Sequence, residues 1–528
     1  MSSTLMLWAL PVALWALATG YSGFDLGKYS DDWSQSFINP SNGSVDAAFH
    51  PWVRWPYFFR PLYFVVIWGI NTAFWERDWV RHAICAMVHL GVGALLFRVL
   101  RRIGVSAGVA IAGVTVFLVW PLNGEAVLWP AAIGLPLGAA AWLAGCSRAV
   151  AFARQTPDGR PWWRVAELGA WAFVAACFHE QAAAATAGVG ALYLGCCAKE
   201  QGWGLRVRRA ALATVGCGAG CAMYGALLMA TAPRGRRGSM GSLVGAETLG
   251  SRVEQFAARA GDWVWGTRGQ GVAIEGAMEG AKIVGSGVSV WMWGPFGVLG
   301  AVLWAVGFSG VWKDSAPPLR PPHRAGGWMA RTGWLVVFGV VGAAASLLPV
   351  MVTQRNSVAS RYFYVLVLGV CFAGAVGVDG FARWVGERMR GVVVGMAMGV
   401  AGVVGVWGAM GMVWWQQAFR ARAEAERVIG EQLRWAVATP VEGAVVVPVS
   451  IARARPALGE AFPEGPVPGA MTQSWACWGF VQKTFGRGDM SATFARPGVR
   501  PRLTVTAEGV RFAGALSVVG GGRVAERR

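Results

Sequence analysis

Charged side chains are scarce in this sequence. Asp, Glu, Lys and Arg together make up 14% of the 528 residues, whereas about 25% is usual in soluble proteins. Hydrophobic residues make up 55% before the 74 glycines are counted. Several apolar runs approach the ~20 residues that a helix needs to cross a bilayer. The scarcity of charge therefore excludes an ordinary soluble domain and predicts an all-α, polytopic membrane protein.

Several motifs of known chemistry are also missing. The chain has no phosphate-binding glycine loop followed by lysine and serine or threonine, no paired-cysteine metal site and no nucleophile elbow. It shows no repeat with a period of 20–50 residues. None of its nine cysteines pairs with another in a predicted external loop, so we expect no disulfide framework. The sequence thus predicts no cofactor and no metal site, and leaves a divalent-metal requirement open.

Basic residues outnumber acidic ones by 47 to 28, which gives a net charge of +19. Such an excess can indicate nucleic-acid binding. Here, however, the basic residues lie between apolar runs, as the orientation signals of cytoplasmic loops do. We therefore expect membrane lipids, and no nucleic acid, among the partners.

The apolar runs predict about eleven transmembrane helices, with the amino terminus in the cytoplasm. The run Leu5–Gly20 lacks the positive leading segment of a signal peptide and is interpreted as a retained first helix. The shorter piece Pro61–Trp75 is placed flat on the membrane, because a span there would invert every later loop and put most arginines outside. The predicted spans are 5–20, 82–97, 104–120, 131–147, 163–178, 182–198, 210–232, 286–311, 332–352, 362–381 and 391–415.

This topology divides the chain into two domains. Residues 1–415 form the transmembrane domain, with a long first outer loop at 21–81 and a large outer loop at 233–285. Residues 416–528 begin with a charged helical pattern and continue with short β-like runs between prolines and glycines. They predict a small α/β module outside the membrane. An arginine-rich chain of this kind is expected in a bacterial inner membrane, with its carboxyl-terminal module on the periplasmic face.

On this topology the unusual polar side chains all fall on the outer face. Acids and bases between apolar helices are costly unless they line a cavity or pair with one another. Their convergence predicts an active cavity at the outer membrane surface. The residues concerned are Asp31, Asp32, Glu125, His179, Glu180, Arg355, Arg361 and Tyr362.

Each of these residues has a simpler alternative, and the alternatives stay open. They are a solvated or helix-capping pair for Asp31 and Asp32, charge balance of a nearby arginine for Glu125, a polar hairpin turn for His179 and Glu180, and a headgroup anchor for Arg361. A cluster formed by Arg234, Arg236 and Arg237 follows the seventh span on the outer side, against the positive-inside rule. Clustered guanidinium groups bind phosphate through bidentate hydrogen bonds, and loop solubility is the alternative.

The order of the motifs resembles a known superfamily. The series runs through Asp31-Asp32-Trp33, Phe59-Arg60-Pro61-Leu62, His82 with His89-Leu90, Pro121 with Glu125-Ala126-Val127, His179-Glu180-Gln181 and Arg361-Tyr362-Phe363-Tyr364. Over residues 1–415 it is similar to the GT-C superfamily of polyprenyl-phosphate-dependent glycosyltransferases. The nearest likeness is to the transmembrane O-mannosyltransferases that carry tetratricopeptide repeats, and to their bacterial relatives. This chain has Trp120 where the family has histidine, His179 where it has lysine, and no repeats.

The resemblance implies a GT-C-like fold and transfer of a sugar from a polyprenyl-phosphate donor to a protein, lipid or glycan acceptor on the outer face. A carboxylate can act as the general base on the acceptor hydroxyl, and positive charge stabilises the leaving lipid phosphate. The resemblance places an acid in the first loop, where we favour Asp32, then Asp31, with Glu125 and Glu180 next in line. The expected phosphate ligands are Arg361, Arg355, Arg234, Arg236 and Arg237, and the other cavity residues are Arg60, His179 and Tyr362.

Two other classes of function remain open. A lipid or polysaccharide transporter usually has broken helices, internal repeats and polar residues near mid-membrane, whereas in this sequence the polar residues lie mostly at one surface and no repeat is seen. A non-catalytic membrane scaffold of the same fold keeps the motifs without the activity.

Overall fold

A computed structural model describes most of the transmembrane region and parts of the tail. The described residues are 3–24, 26–27, 60–154, 161–197, 202–231, 254, 257–258, 274, 276–285, 325–353, 360–436, 445–446, 491–492, 502–506, 509–513, 516–520 and 523–527. They divide into two compact units. One holds the described parts of Met1–Tyr21, Pro51–Phe64 and Ile84–Trp414, and the other those of Ser22–His50, Val65–Ala83 and Trp415–Arg528.

The described part of the chain is mostly helical. Its helices are α1 (Ser3–Gly20), α2 (Pro61–Phe74), α3 (Asp78–Arg102), α4 (Ala107–Val119), α5 (Gly124–Leu128), α6 (Gly134–Arg154), α7 (Pro161–Phe178), α8 (Glu180–Ala184), α9 (Val189–Cys196), α10 (Trp203–Thr231), α11 (Gly276–Gly285), α12 (Ala325–Thr353), α13 (Tyr364–Trp384) and α14 (Glu387–Ala436). Short 3-10 turns join some of them, at Pro121–Asn123, Pro130–Ala132, Ala185–Gly188 and Ser360–Phe363.

Six helical stretches within the described residues are long and apolar enough to cross a membrane. They are Asp78–Arg102, Pro130–Arg154, Trp203–Ala230, Met329–Met351, Ser360–Trp384 and Met389–Arg420. A seventh is formed if Ala107–Val119 and Pro121–Leu128, which are bent by 51°, count as one span. These helices are consistent with an all-α integral membrane protein.

The remaining predicted spans are not matched by such helices. The first predicted span, 5–20, corresponds to the shorter apolar helix Leu7–Gly20. Pro61–Phe74, which was predicted to lie flat and not to span, is also a shorter apolar helix. The sixth predicted span, 182–198, is interrupted by the 3-10 turn Ala185–Gly188 and ends at Cys196. The eighth, 286–311, lies outside the described residues. Eleven spans therefore stay a prediction.

The last predicted span and the charged pattern after it form one continuous helix. Helix α14 runs over 50 residues from Glu387 to Ala436, so the predicted domain boundary at 415 falls inside it. Among the described residues beyond it there are six strands: β1 (Val445–Val446), β2 (Ser491–Ala492), β3 (Arg502–Thr506), β4 (Gly509–Ala513), β5 (Leu516–Gly520) and β6 (Arg523–Arg527). Antiparallel pairing joins β3 to β4, β5 to β6 and β1 to β5, and β1 pairs in parallel with β2. The small α/β module stays a prediction, since 447–490 lies outside the described residues.

Helices α7 and α10 pack along a seam of glycines. A methyl group at Gly220 would lie 2.0 Å from the carbonyl oxygen of Gly169, and one at Gly216 would lie 2.5 Å from that of Val165. Such distances are impossible for a real side chain, so only glycine permits the two backbones to approach this closely. The same use of small residues brings helices together in membranes, where burial from water does not drive association.

The arginines predicted to lie in cytoplasmic loops contact the ends of neighbouring helices. Arg102 donates to the carbonyl oxygen of Ser147 at 3.2 Å, and Arg331 donates to that of Ile103 at 2.6 Å. Arg383 donates to Gly104. The loops that were predicted to share one side of the membrane, because of their basic residues, are thus in contact with one another. Which side is cytoplasmic stays a prediction.

Candidate functional site

Two prolines build the short helix that carries Glu125. A residue before proline is driven out of the helical conformation, and proline itself has no N–H to continue the helix. Trp120, before Pro121, is accordingly extended at φ −63° and ψ 123°, and Trp129, before Pro130, is extended at φ −104° and ψ 111°. Helix α5 lies between these two breaks, and its first turn holds Glu125.

The helix break at Trp120 leaves carbonyl groups at the end of α4 without helical donors, and these groups find other hydrogen-bond partners. The side-chain amide of Asn123 donates to the Phe117 oxygen at 2.7 Å, and the Asn123 backbone N–H donates to Trp120 at 2.8 Å. The Nε2 of His89 donates to the Leu118 oxygen at 3.0 Å. A buried carbonyl without a donor is costly, so these bonds stabilise the bend in its observed form.

His89 also joins the break to the start of α13. A carbonyl can only accept, so the bond to Leu118 puts the ring proton on Nε2, and Nδ1 accepts from the Tyr364 hydroxyl at 2.7 Å. His89 is fully buried, and its ring lies within 5.5 Å of both Phe117 and Tyr364. The segment that carries Glu125 and the one that carries Arg361 are therefore held by the same side chain.

Glu125 and Arg361 form an ion pair between these two segments. Arg361 Nη1 donates to Oε1 of Glu125. Its backbone N–H donates to Oε2 at 3.2 Å, and the Ser360 hydroxyl donates to Oε2 at 3.0 Å. The guanidinium carbon also lies 4.8 Å from the centre of the Trp129 ring and 5.0 Å from that of Tyr362. With three donors around a carboxylate that is 1% exposed, this geometry favours charge balance over a role for Glu125 as base.

A second ion pair joins Arg60 to Glu180. Arg60 Nε donates to Oε2 at 2.8 Å and its Nη2 donates to Oε1 at 2.5 Å, which is the parallel, bidentate arrangement. The side chains are 17% and 21% exposed. Burial raises the pKa of Glu180, but the Arg60 charge and hydrogen bonds outweigh it and bring that pKa to about 2. Burial lowers the pKa of Arg60, and Glu180 outweighs it in turn, so that pKa is raised.

His179 lies beside the second pair, with its Nδ1 3.9 Å from Oε2 of Glu180. It is the N-cap of α8, where its Nδ1 accepts from the Gln181 backbone N–H at 3.3 Å. Burial lowers the pKa of His179 to about 3, the positive charges of Arg60 and Arg361 lower it further, and Glu180 opposes them. The imidazole is therefore neutral at physiological pH, and its electrostatic environment includes both arginines.

Three further residues complete the site and were missed by sequence reasoning. The buried Gln181 side chain donates to the backbone oxygens of Ser346 at 3.1 Å and Tyr362 at 2.9 Å, while its own Oε1 has no donor among the described residues. The Tyr224 hydroxyl, on α10, interacts electrostatically with Arg60 and Glu180. The Tyr63 hydroxyl donates to Ala131 at 2.7 Å. Of these three residues, only Gln181 could have been found from the sequence, because it directly follows His179 and Glu180.

The structure thus brings together six of the twelve predicted site residues: Arg60, Glu125, His179, Glu180, Arg361 and Tyr362. The other six lie outside the described residues: Asp31, Asp32, Arg234, Arg236, Arg237 and Arg355. Within the described residues no group of three or more His, Cys, Asp or Glu side chains could hold a metal ion.

The described part of the site is balanced in charge. Two arginines form ion pairs with two glutamates, and the nearby His179 is neutral. A phosphate bound here adds negative charge, which requires further cations or displacement of a glutamate from its arginine. Arg355 and the cluster at 234–237, the other predicted phosphate ligands, lie outside the described residues.

Comparisons with known proteins identify no family for this sequence. No family model matches the sequence, and no curated protein and no solved structure matches it significantly.

Proposed function

We propose that this protein is a membrane glycosyltransferase of the GT-C type, which moves a sugar from a polyprenyl-phosphate donor to an acceptor at the outer membrane surface. The observation that carries the proposal is the presence of two Arg–Glu pairs whose arginines both act electrostatically on His179. Four segments of the chain, around residues 60, 125, 180 and 361, supply the charges. All four were assigned to the same membrane face from the basic residues of the loops alone.

The chemistry is divided between acids and arginines. A first-loop carboxylate, Asp32 or else Asp31, accepts the proton of the acceptor hydroxyl as that oxygen attacks the anomeric carbon. The bond from the anomeric carbon to the phosphate oxygen breaks, and the polyprenyl phosphate leaves with the electron pair. Arg361, assisted by Arg355 and the arginines at 234–237, binds the phosphate. The Arg60–Glu180 pair is bidentate and fixes the turn that holds His179.

The test is sugar transfer by the purified protein in liposomes. Polyprenyl-phosphate hexoses with a labelled sugar are supplied one at a time, together with a membrane extract as the source of acceptor hydroxyls, and release of polyprenyl phosphate is measured. We expect turnover with at least one donor, and a loss of about 10²–10⁴ in rate for Asp32→Asn or Asp31→Asn. Glu279→Gln is the matched control, since among the described residues Glu279 forms an ion pair with the exposed Lys282 alone. Near-normal turnover in both aspartate variants contradicts the assignment of the base.

A lipid transporter is the second candidate, and one observation favours it. The 51° break between α4 and the segment after it is the kind of discontinuous helix that transporters use at their binding sites. The same liposomes separate the two functions. Movement of an intact labelled polyprenyl-phosphate sugar between leaflets, with no release of polyprenyl phosphate, supports transport and contradicts the transferase.

A further inference from the structure

Four arginines gather at the end of α3 and α6. Arg98 and Arg102 lie one helical turn apart on α3. Arg102 Nη1 donates to Ser147 on α6, at 3.2 Å to the backbone oxygen and 2.5 Å to the hydroxyl. Arg154, in the last turn of α6, donates to the Arg102 carbonyl oxygen. The positive charges of Arg98, Arg148 and Arg154 all act on Arg102.

Among the described residues, this cluster holds more positive than negative charge. Glu167 forms an ion pair with Arg148, with Nε to Oε1 at 2.5 Å and Nη2 to Oε2 at 3.2 Å. Among the described residues, Arg98, Arg102 and Arg154 form no ion pair with a carboxylate. Like charges one turn apart on a helix are destabilising, so three guanidinium groups held this close favour an added anion.

The surroundings of the cluster match the headgroup level of a membrane. Met87, Gly91, Ala94 and Arg98 are all exposed and recur at helical spacing, so an apolar stripe of α3 ends at Arg98. Trp162, at the start of α7, is 71% exposed. Tryptophan is enriched at the boundary between lipid and water, and basic pockets between helix ends on the cytoplasmic side bind anionic headgroups.

We propose that Arg98, Arg102 and Arg154, with Arg148 beside them, bind the phosphate of an anionic phospholipid. One acyl chain of this lipid lies along the Met87–Gly91–Ala94 stripe. The forked guanidinium groups match phosphate oxygens, while the stripe distinguishes a lipid from free phosphate. This site lies apart from the two Arg–Glu pairs and does not rest on the proposed function.

The test is lipid binding by the purified, delipidated full chain. Phosphatidylglycerol, phosphatidylcholine and inorganic phosphate are added separately, and thermal unfolding and lipid retention in native mass spectra are recorded. We expect phosphatidylglycerol to be retained and to raise the unfolding temperature, and the other two to have little effect. In the variant R98Q/R102Q/R154Q the apparent Kd for phosphatidylglycerol should rise about tenfold or more.

A variant of equal net charge provides the control. Arg77, Arg208 and Arg420 are exposed elsewhere in the described residues, so R77Q/R208Q/R420Q removes the same charge and should bind phosphatidylglycerol as the wild type does. If both triple variants bind equally well or lose binding equally, the proposed site is wrong. Equal protection by inorganic phosphate overturns the lipid assignment.

A lysine variant keeps the test open if the glutamine variant does not fold. R98K/R102K/R154K retains every charge but loses the guanidinium forks, so its affinity for phosphatidylglycerol should fall several-fold. An unchanged affinity contradicts a built phosphate site and leaves only general attraction to the membrane surface.

Discussion

Glu125 and Arg361 lie 236 positions apart in the chain, yet they form an ion pair whose carboxylate is only 1% exposed. Loss of one partner from a buried pair leaves the other charge uncompensated and costs about 3–5 kcal/mol. We expect Glu125→Gln to lower the free energy of unfolding by about that amount, as measured by thermal unfolding in detergent. The double variant E125Q/R361Q should lose less than the sum of the two single variants.

The control for this pair is Glu279→Gln. Glu279 and Lys282 form an exposed pair, and such pairs contribute about 0–1 kcal/mol. If Glu125→Gln unfolds at the same temperature as Glu279→Gln, the observed pair does not stabilise the protein.

The bidentate bonds of Arg60 predict that lysine cannot replace it. Arg60→Lys keeps the charge opposite Glu180 but loses the two parallel hydrogen bonds. We expect a lower transfer rate and a lower unfolding temperature, and a coupling energy of about 0.5–3 kcal/mol with Glu180→Gln in a double-mutant cycle. Arg77→Lys, at an exposed position, serves as the control. Additive effects of the two substitutions speak against the pairing.

Acid should destabilise the protein through His179. Its pKa is lowered to about 3 by burial and by the nearby arginines, whereas the ordinary pKa of an exposed histidine is 6.5. Between these two pH values the unfolded chain binds a proton that the folded chain does not, so stability falls as pH drops below about 6.5. The depressed pKa of Glu180, about 2, lowers stability in the same direction only below the ordinary glutamate pKa of 4.5.

The variant His179→Asn isolates this effect. Asparagine is a good N-cap and does not titrate, so the bond to the Gln181 backbone N–H can be kept. Between pH 7.5 and pH 5, the unfolding temperature of the wild type should fall further than that of the variant. Parallel curves for the two proteins would show that His179 is not held neutral.

The two hydrogen bonds of His89 predict that substitutions at this position lower stability by graded amounts. His89→Leu leaves the Leu118 carbonyl and the Tyr364 hydroxyl without their observed partner, and an unsatisfied buried polar group costs about 1–3 kcal/mol. His89→Gln supplies one donor and one acceptor and should recover part of the loss. Thermal unfolding measures both. Equal stability of the leucine and glutamine variants contradicts the role of the two hydrogen bonds.

The shared face of the site rests on topology, which reporter fusions can measure. The basic residues place Arg98–Arg102 in the cytoplasm, and Glu125, Arg355 and the tail outside. Fusions after these positions should report accordingly, with cysteine labelling as a second readout. A cytoplasmic tail would overturn both the eleven spans and the outer placement of the site.

Sequence patterns predicted where the polar turns lie, but not which of their side chains form ion pairs with one another. The breaks at Trp120 and Trp129 follow from the prolines after them, and Glu125 is one of the few acids near an apolar run. That Glu125 faces Arg361, while Arg60 faces Glu180, depends on how helices distant in the chain pack. Local periodicity carries no information about such contacts.

Two of the residues that were missed, Tyr63 and Tyr224, lie inside apolar helices. Tyr224 lies seven residues before the end of a 29-residue helix, and its approach to Glu180 requires the position and rotation of α10 against α7. His89 was noticed only as part of a motif, because a buried histidine with two partners looks the same in sequence as one that lines a cavity. The number of spans was difficult for a related reason, since Ala185–Gly188 interrupts an apolar run without proline or charge.

The glycine seam between α7 and α10 shows that a residue can matter to the site without a functional group of its own. Gly220 lies one turn before Tyr224, and α7 ends at Phe178, directly before His179. A methyl group at Gly220 would therefore force apart two helices whose spacing decides how near Tyr224 comes to Glu180. A complete substitution scan of the chain would rank this glycine with the charged residues of the site, although it offers a ligand nothing to bind.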